Sequence, residues 1–331
     1  MSFNFLKMMF LMMILMSTML TISSSNWIGM WMGMEMNLMS FIPFISKIKN
    51  TKSSKATMIY FLVQSIGSVI LLFSILVNSF IMISPIMMEE ITNMSLMLGL
   101  LIKLGVAPFH MWMPEMMSNL SWMDLMVFMT WQKLAPMYTL SNLINNNWMI
   151  MTSILMSTII GAIGGINLTS LRKIMAFSSI NHLGWMLIMM VNNNMWYMYL
   201  MLYSIMIIMA CTFFNNYNSY FINQLNNSSM SMMEKYIMAS IMLSIGGLPP
   251  FLGFLPKWMA IESMINSNML IVMLIMIMMS LLTLFYYMRM ISSLMMMFNY
   301  TNKWLYLNKI KMNYILLVNF SLPLFSVISF F

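Results

Sequence analysis

The chain has 331 residues, of which 61% are hydrophobic and only 7% charged. Soluble domains carry about 25% charged residues, so too little charge remains here to cover a water-facing surface, and a soluble globular protein is excluded. The net charge of +8 would suggest nucleic acid in a soluble protein; here its distribution is first tested against the membrane. The single cysteine, Cys211, can neither close an internal disulfide nor hold an iron–sulfur cluster, and it reads as a buried, inert thiol.

Eleven apolar segments follow one another, at 5–22, 26–46, 57–83, 92–117, 121–142, 148–169, 172–191, 195–222, 234–264, 269–294 and 313–331. Each is long enough, or nearly so, to cross about 30 Å of hydrocarbon as a helix. Lys7 and the run that follows it have the outline of a signal peptide, but the run continues to Ile22 without a small-x-small cleavage site, so it reads as a first span. The start is neither Arg-rich nor amphipathic, and no transit peptide is expected. Short polar joints separate the segments: Ser23–Ser25, Asn145–Asn147, Asn192–Asn194 and a looser stretch at 223–231. Trp27, Trp122, Trp148, Trp196 and Trp304 fall near segment ends, where an aromatic belt lies. Open strands are excluded in lipid, and no two-residue alternation suggests a barrel.

Alternating the joints between two sides puts Lys7, Lys47, Lys49, Lys52, Lys55, Arg172, Lys173, Lys235, Arg289, Lys303, Lys309 and Lys311 on one side. The other side carries Glu89 and Glu90 and no basic residue. The positive-inside rule then places the N-terminus on the basic side and the C-terminus opposite.

Four ionisable residues belong to no joint: Glu35, Lys103, Lys133 and Lys257. Each costs roughly 2.5–3.5 kcal/mol at the bilayer centre on insertion scales, so such residues face a bundle interior and mark ion paths. Lys133 is the most central of the lysines; Lys103 and Lys257 stand beside helix breaks. His182, central in its segment, and His110, inside a break, are candidate proton relays. Asp124, Glu115, Glu234 and Glu262 lie near segment ends and read as interfacial charges.

The breaks themselves form a pair. Gly105-Val106-Ala107-Pro108-Phe109-His110-Met111-Trp112-Met113-Pro114 and Gly247-Leu248-Pro249-Pro250-Phe251-Leu252-Gly253-Phe254-Leu255-Pro256 share the pattern G-x-x-P-F-x-x-aromatic-x-P. Proline lacks an N–H and clashes with the preceding turn, so each segment should kink or unwind there. The two lie five segments apart. Five is odd, so the second unit enters the membrane in the opposite sense, which predicts inverted repeats whose broken helices line an ion site. The expected boundaries are 1–147 and 148–294 for the two five-helix units, and 295–331 for a loop and terminal helix. Burial disfavours a charged ammonium, so a buried lysine can take up and release a proton, and a nearby carboxylate opposes this. Glu35 would thus act as a switch on Lys103 if the second and fourth segments pack together.

The run Ser170-Leu171-Arg172-Lys173-Ile174-Met175-Ala176-Phe177-Ser178-Ser179-Ile180-Asn181-His182-Leu183-Gly184-Trp185 resembles the signature of the antiporter-like subunits of respiratory complex I and of multisubunit Na⁺/H⁺ antiporters. Trp131-Gln132-Lys133-Leu134-Ala135-Pro136, the Lys103–Pro114 run, Gly246–Trp258 and Trp27–Pro43 with Glu35 are similar to the subunit 2 branch of that family. The 56 methionines, spread over nearly every apolar run, resemble the usage of AT-rich animal mitochondrial genomes. The resemblance implies an all-α polytopic fold of about eleven spans, the animal short form lacking the first three helices of bacterial members, with antiporter-like inverted repeats and two broken helices. It implies a proton path through Glu35, Lys103, Lys133 and Lys257, with His110 and His182 as linkers. It further implies a mitochondrial inner-membrane setting with the N-terminus in the matrix, the small subunit 4L and subunit 4 as neighbours, and membrane lipids as partners.

No dinucleotide fingerprint and no P-loop occur in the sequence, and Gly161-Ala162-Ile163-Gly164-Gly165 reads as a helix-packing patch. No cofactor, metal or nucleic acid is therefore expected in this chain; flavin, iron–sulfur clusters and ubiquinone are expected in partner subunits. Two alternatives stand beside this reading: a stand-alone cation/proton antiporter, and a structural scaffold whose lysines do not conduct.

Overall fold

The computed structural model describes residues 5–46, 50–80, 85–143, 148–193, 195–227, 232–296 and 313–321. They are helical, apart from turns and one isolated bridge between Ser170 and Phe221. The chain divides into two compact units, Met1–Ser153 and Ile154–Phe331. Lys47, Lys49, Trp304, Lys303, Lys309, Lys311, the Asn145–Asn147 joint and the last ten residues of the terminal segment, for which the sequence made expectations, lie outside the described residues, as does the side chain of Glu89.

The first unit contains α1 (Phe5–Ser23), α2 (Trp27–Ile45), α3 (Thr51–Phe80), α4 (Pro85–Leu104), α5 (Trp112–Asn119), α6 (Trp122–Thr130), a 3-10 turn (Trp131–Lys133) and α7 (Leu134–Ser141). Helix α8 (Trp148–Ile163) runs across the boundary between the units. Tryptophan opens α2, α5, α6 and α8; Trp148 is exposed, as an interfacial anchor would be, whereas Trp112 and Trp122 are buried. Small residues bring neighbouring helices into contact. A Cβ on Gly33 of α2 would lie 2.5 Å from the methyl of Thr21 on α1. Gly67 on α3 and Gly99 on α4 interlock, each Cβ position being about 3 Å from the other's carbonyl oxygen, at 3.2 and 3.1 Å. Packing of this kind drives association where lipid removes the hydrophobic incentive.

Several element bounds differ from the sequence expectation. Helix α4 starts at Pro85, ahead of the apolar run, so Glu90 lies within the helix and is exposed; proline is pre-organised for a first helical position. The 121–142 segment, expected as one helix with Lys133 in mid-run, tightens into a 3-10 turn that ends on Lys133. Pro136 supplies the reason: its ring disfavours the α conformation and bonding of the turn before it.

The second unit contains α9 (Leu171–Asn193), α10 (Trp196–Asn216), α11 (Ile222–Asn227), α12 (Met232–Gly246), α13 (Phe254–Asn266), α14 (Leu270–Met296) and α15 (Asn313–Asn319). By length and composition, α1, α3, α9, α10 and α14 are apolar enough to cross a membrane unaided. Helix α9 is the most enclosed of them, with 89% of its best apolar window buried. Close contact with α8 explains how it is held: Cβ atoms on Gly161 and Gly184 would come within 2.6 Å of the Asn181 nitrogen and the Ser157 hydroxyl. Gly164 and Gly165 lie just past α8 rather than inside it, against the rings of Phe177 and Tyr286.

The N-terminus of α9 is clamped. Leu171 N–H donates to the Tyr220 carbonyl at 3.0 Å and Ile222 N–H to the Thr169 carbonyl at 3.1 Å. The Arg172 guanidinium lies 4.5 Å from the centre of the Tyr220 ring, and Arg289 of α14 donates to the carbonyls of Ile166 and Leu168. Lys235, assigned from sequence to a joint, is in the first turn of α12 and buried; its aliphatic stem is covered by protein, as long basic side chains near helix ends allow.

Candidate functional site

Both proline-containing breaks are built the same way. Helix α4 closes on Gly105, which has φ +69°. Its N–H reaches the Ile102 carbonyl, and the Val106 N–H reaches Leu101, both at 3.1 Å. Helix α12 closes on Gly247, φ +79°, with Gly247 N–H on Ser244 at 3.0 Å and Leu248 N–H on Leu243 at 3.3 Å. These are Schellman caps, in which a left-handed residue turns two N–H groups back onto the last helical carbonyls. A tight turn follows in each: Phe109 N–H to the Val106 carbonyl at 2.9 Å, and Phe251 N–H to the Leu248 carbonyl at 3.0 Å. The Ala107–Pro108 peptide is cis. The same cap with asparagine ends α10 at Asn218 and α13 at Asn268, since asparagine tolerates left-handed backbone.

The two caps place two lysines. Lys103 is in the last turn of α4, just before its cap, and its side chain is 2% exposed. Its ammonium is 3.6 Å from Oε1 of Glu35 on α2, which is 23% exposed. The second and fourth segments are thus in contact through this pair. Gly67 makes room for the lysine stem: a Cβ there would lie 2.9 Å from Lys103 Cγ. Lys257, in α13, is also buried. It reaches back across its break and donates to the Gly246 carbonyl at 2.6 Å, over Gly247, where a Cβ would come within 2.7 Å of its stem.

Lys133 is buried at the end of the 3-10 turn. Its neighbour Gln132 donates through Nε2 to Asn37 Oδ1 at 3.0 Å, and its Oε1 lies 3.5 Å from the Tyr60 hydroxyl. Gln64 donates to the backbone carbonyl of Lys103 at 3.0 Å. Asn37, Tyr60, Gln64, Lys103 and Gln132 surround one small cavity, closed on a further side by Phe128. Its free space for a water-sized sphere is about 20 Å³, enough for one water, and its lining supplies the several polar partners such a water requires. Sequence reasoning had named Lys103 and Lys133 and missed these uncharged groups, because an amide in an apolar run raises no charge signal.

Each histidine has a defined place within its own unit. His110 is buried in the first break, with Nδ1 at 3.2 Å from the Pro108 carbonyl, which can only accept. His182 is buried at the middle of α9, with Nδ1 at 2.9 Å from the Tyr199 hydroxyl and its ring 4.9 Å from that of Tyr203. Asp124, expected to be an interfacial charge, is buried. It accepts from Lys7 of α1 at 3.2 Å and from the Ser121 hydroxyl. Among the described residues, no three His, Cys, Asp or Glu side chains gather around a point where a metal ion would sit.

The family model described as the transmembrane region of NADH:quinone oxidoreductase/Mrp antiporters matches residues 24–283. The chain belongs to the NADH:quinone oxidoreductase/Mrp antiporter family. Within this family it is 42% identical over 328 residues to NADH-ubiquinone oxidoreductase chain 2 of Locusta migratoria, covering 98% of this chain and 94% of the relative. It is 44% identical over 304 residues to chain 2 of Anopheles gambiae, covering 90% and 89%. The antiporter fold itself is shared with a chain of respiratory complex I from Thermus thermophilus, at a TM-score of 0.80 and 18% identity, over 89% of this chain and 71% of that one. A chain of the Mrp complex from Dietzia gives 0.78 at 14% identity, over 86% and 59%. In this family setting the signature run Ser170–Trp185 falls on α9, whose N-terminus the Arg172 and Arg289 contacts fix.

Proposed function

We propose that this chain is a membrane-arm subunit of respiratory complex I that moves protons across the mitochondrial inner membrane, driven by NADH oxidation and ubiquinone reduction in other subunits. The observation that carries this reading is the Glu35–Lys103 pair at 3.6 Å. It is an ion pair inside a helical membrane unit, in a chain 42–44% identical to chain 2 of two insects. Charge within a membrane-spanning bundle is expensive and is retained where ions pass.

On this reading Glu35, Lys103, Lys133 and Lys257 are the proton-path residues, with His110 and His182 as relays. Moving Glu35 towards or away from Lys103 changes how strongly the ammonium holds its proton. The lysine then releases the proton to water, its N–H bond breaking as the next acceptor gains one. Eleven spans in two inverted five-helix units, 1–147 and 148–294, with a terminal helix after 295, accommodate this path. The matching Schellman caps five segments apart support the repeat. Exposed Lys52 and Lys55 at the start of α3 support a basic, matrix-facing N-terminal side. Subunits 4L and 4 are the proposed neighbours, lipids cover the remaining surface, and flavin, iron–sulfur clusters and ubiquinone belong to other subunits.

The test is Lys103→Met in the assembled complex reconstituted into vesicles. Loss of proton pumping, with the complex still assembled, is expected. Full pumping at the normal proton yield per NADH would instead make this chain a scaffold.

A further inference from the structure

On one face of α6 and the turn after it, Asp124, Phe128 and Gln132 follow at four-residue spacing, which stacks them over about 12 Å. The first and last are polar and belong to two separate polar clusters. At the lower end, Asp124 pairs with Lys7, whose side chain is 27% exposed and so joins the buried carboxylate to the surface. At the upper end, Gln132 belongs to the cavity beside Lys103. Between them is a layer of rings. Phe128 packs on Phe41, Tyr60 and Trp112 with centroids 6.1, 6.3 and 5.9 Å away, and Phe41 on Tyr60 at 5.1 Å.

Helix α2 repeats the order, with Asn37 one turn from Phe41, and Phe44 beneath it under the Lys7 ammonium at 5.2 Å. The polar atoms on either side of this layer are thus separated by one thickness of aromatic carbon, all within the first unit. Phe128 and Phe41 carry no polar atom, and the Tyr60 hydroxyl lies on the cavity side, 3.5 Å from Gln132 Oε1; an apolar constriction of this kind stays dry when closed, and it conducts only when a ring swings and water enters. Phe128 is the ring placed between Asp124 and Gln132 along the chain, and it also lines the cavity.

We propose that Phe128, backed by Phe41 and Tyr60, is a dry gate between the Lys7–Asp124 end of the first unit and the water-sized cavity beside Lys103. Its opening admits protons to that cavity. This rests on the proton-translocating reading above. The proton travels on water; the rings gain and lose no bond. Phe128 is a positioning residue, which decides when the water chain is continuous.

The experiment measures protons moved per NADH oxidised by the whole complex in sealed vesicles, for Phe128→Ser, Phe128→Leu and Lys103→Met. Phe128→Ser should wet the layer, let protons flow back and lower the proton yield several-fold. Phe128→Leu, apolar and of similar bulk, should restore it. An unchanged yield in Phe128→Ser alongside lost pumping in Lys103→Met overturns the gate and leaves the function standing. Unchanged pumping in Lys103→Met overturns the function itself. If Phe128→Ser does not assemble, hydroxyl-radical oxidation of Met34, which also lines the cavity, decides the matter in the unaltered complex. Faster oxidation during turnover than at rest supports the gate, and equal rates overturn it.

Discussion

Lys257 donates to the backbone carbonyl of Gly246 across 2.6 Å, although eleven residues separate them in the chain. The bond spans a helix break, so the ammonium sits at the C-terminal, partially negative end of α12. Lys103, at the matching break, faces the full charge of Glu35 instead. Two lysines beside similar caps are therefore held by partners of different strength, a carbonyl dipole and a carboxylate. A carboxylate that moves can change its lysine's proton affinity strongly, whereas a fixed carbonyl cannot.

The cap under Lys257 makes two adjacent glycines unequal. Gly247 has φ +79° and a Cβ there would strike the Lys257 stem at 2.7 Å, whereas a Cβ on Gly246 would meet its nearest neighbour at 3.5 Å. Gly247→Ala is expected to destabilise by about 1–2 kcal/mol from backbone strain alone, and to displace Lys257 as well. Gly246→Ala should be tolerated. The amount of assembled complex and its proton yield distinguish the two; equal behaviour would contradict the cap geometry.

Glu35 and Lys103 should behave as one unit. Glu35→Gln removes the carboxylate's hold on the ammonium, and Lys103→Met removes the ammonium itself. Each alone should lower pumping at least about tenfold if the pair transfers the proton directly. The double variant should be no worse than Lys103→Met, because residues in one interaction are not additive. Additive losses in vesicle pumping assays would show that the 3.6 Å pair is incidental.

Gly67→Ala tests how closely Lys103 is confined. Its new methyl would fall 2.9 Å from Lys103 Cγ and 3.2 Å from the Gly99 carbonyl. Overpacking of this kind costs about 1–3 kcal/mol, so lower assembly and lower proton yield are expected together. Gly99→Ala meets Leu71 at 2.8 Å and the Gly67 carbonyl at 3.1 Å, nearer than any atom of the lysine. It should reduce assembly while leaving the yield per assembled complex intact.

His182 and Tyr199 share a 2.9 Å hydrogen bond, whose net worth is about 1 kcal/mol. Tyr199→Phe removes that bond and keeps the imidazole, so a relay through His182 predicts near-normal proton yield with slightly reduced stability. His182→Gln keeps a hydrogen-bonding group but cannot carry a proton, and is expected to lower the yield. Equal effects of the two on pumping would make His182 a packing residue.

Much of the candidate site was legible because charge in an apolar run is conspicuous. Glu35, Lys103, Lys133 and Lys257 stand out against a chain that is 7% charged, and Gly105 and Gly247 stand out beside their prolines. The uncharged residues around them were not legible. Gln132, Asn37, Tyr60 and Gln64 sit in apolar runs where any amide or phenol looks like a tolerated exception. The partner of Asp124 was not legible either: its position near a segment end says nothing about Lys7, more than a hundred residues away.

By itself, the sequence determined the solvent, the helical class and the places where helices break. Hydropathy, the cost of unsatisfied backbone in lipid and the local rules for glycine and proline all act over a few residues. Tertiary structure alone decided which charge meets which partner: Glu35 on Lys103, Lys7 on Asp124, Lys257 on Gly246. It also decided the ring layer between two polar clusters. Those depend on small residues such as Gly67 setting how near two helices approach, and that distance is a property of pairs of surfaces, which no single stretch of chain encodes.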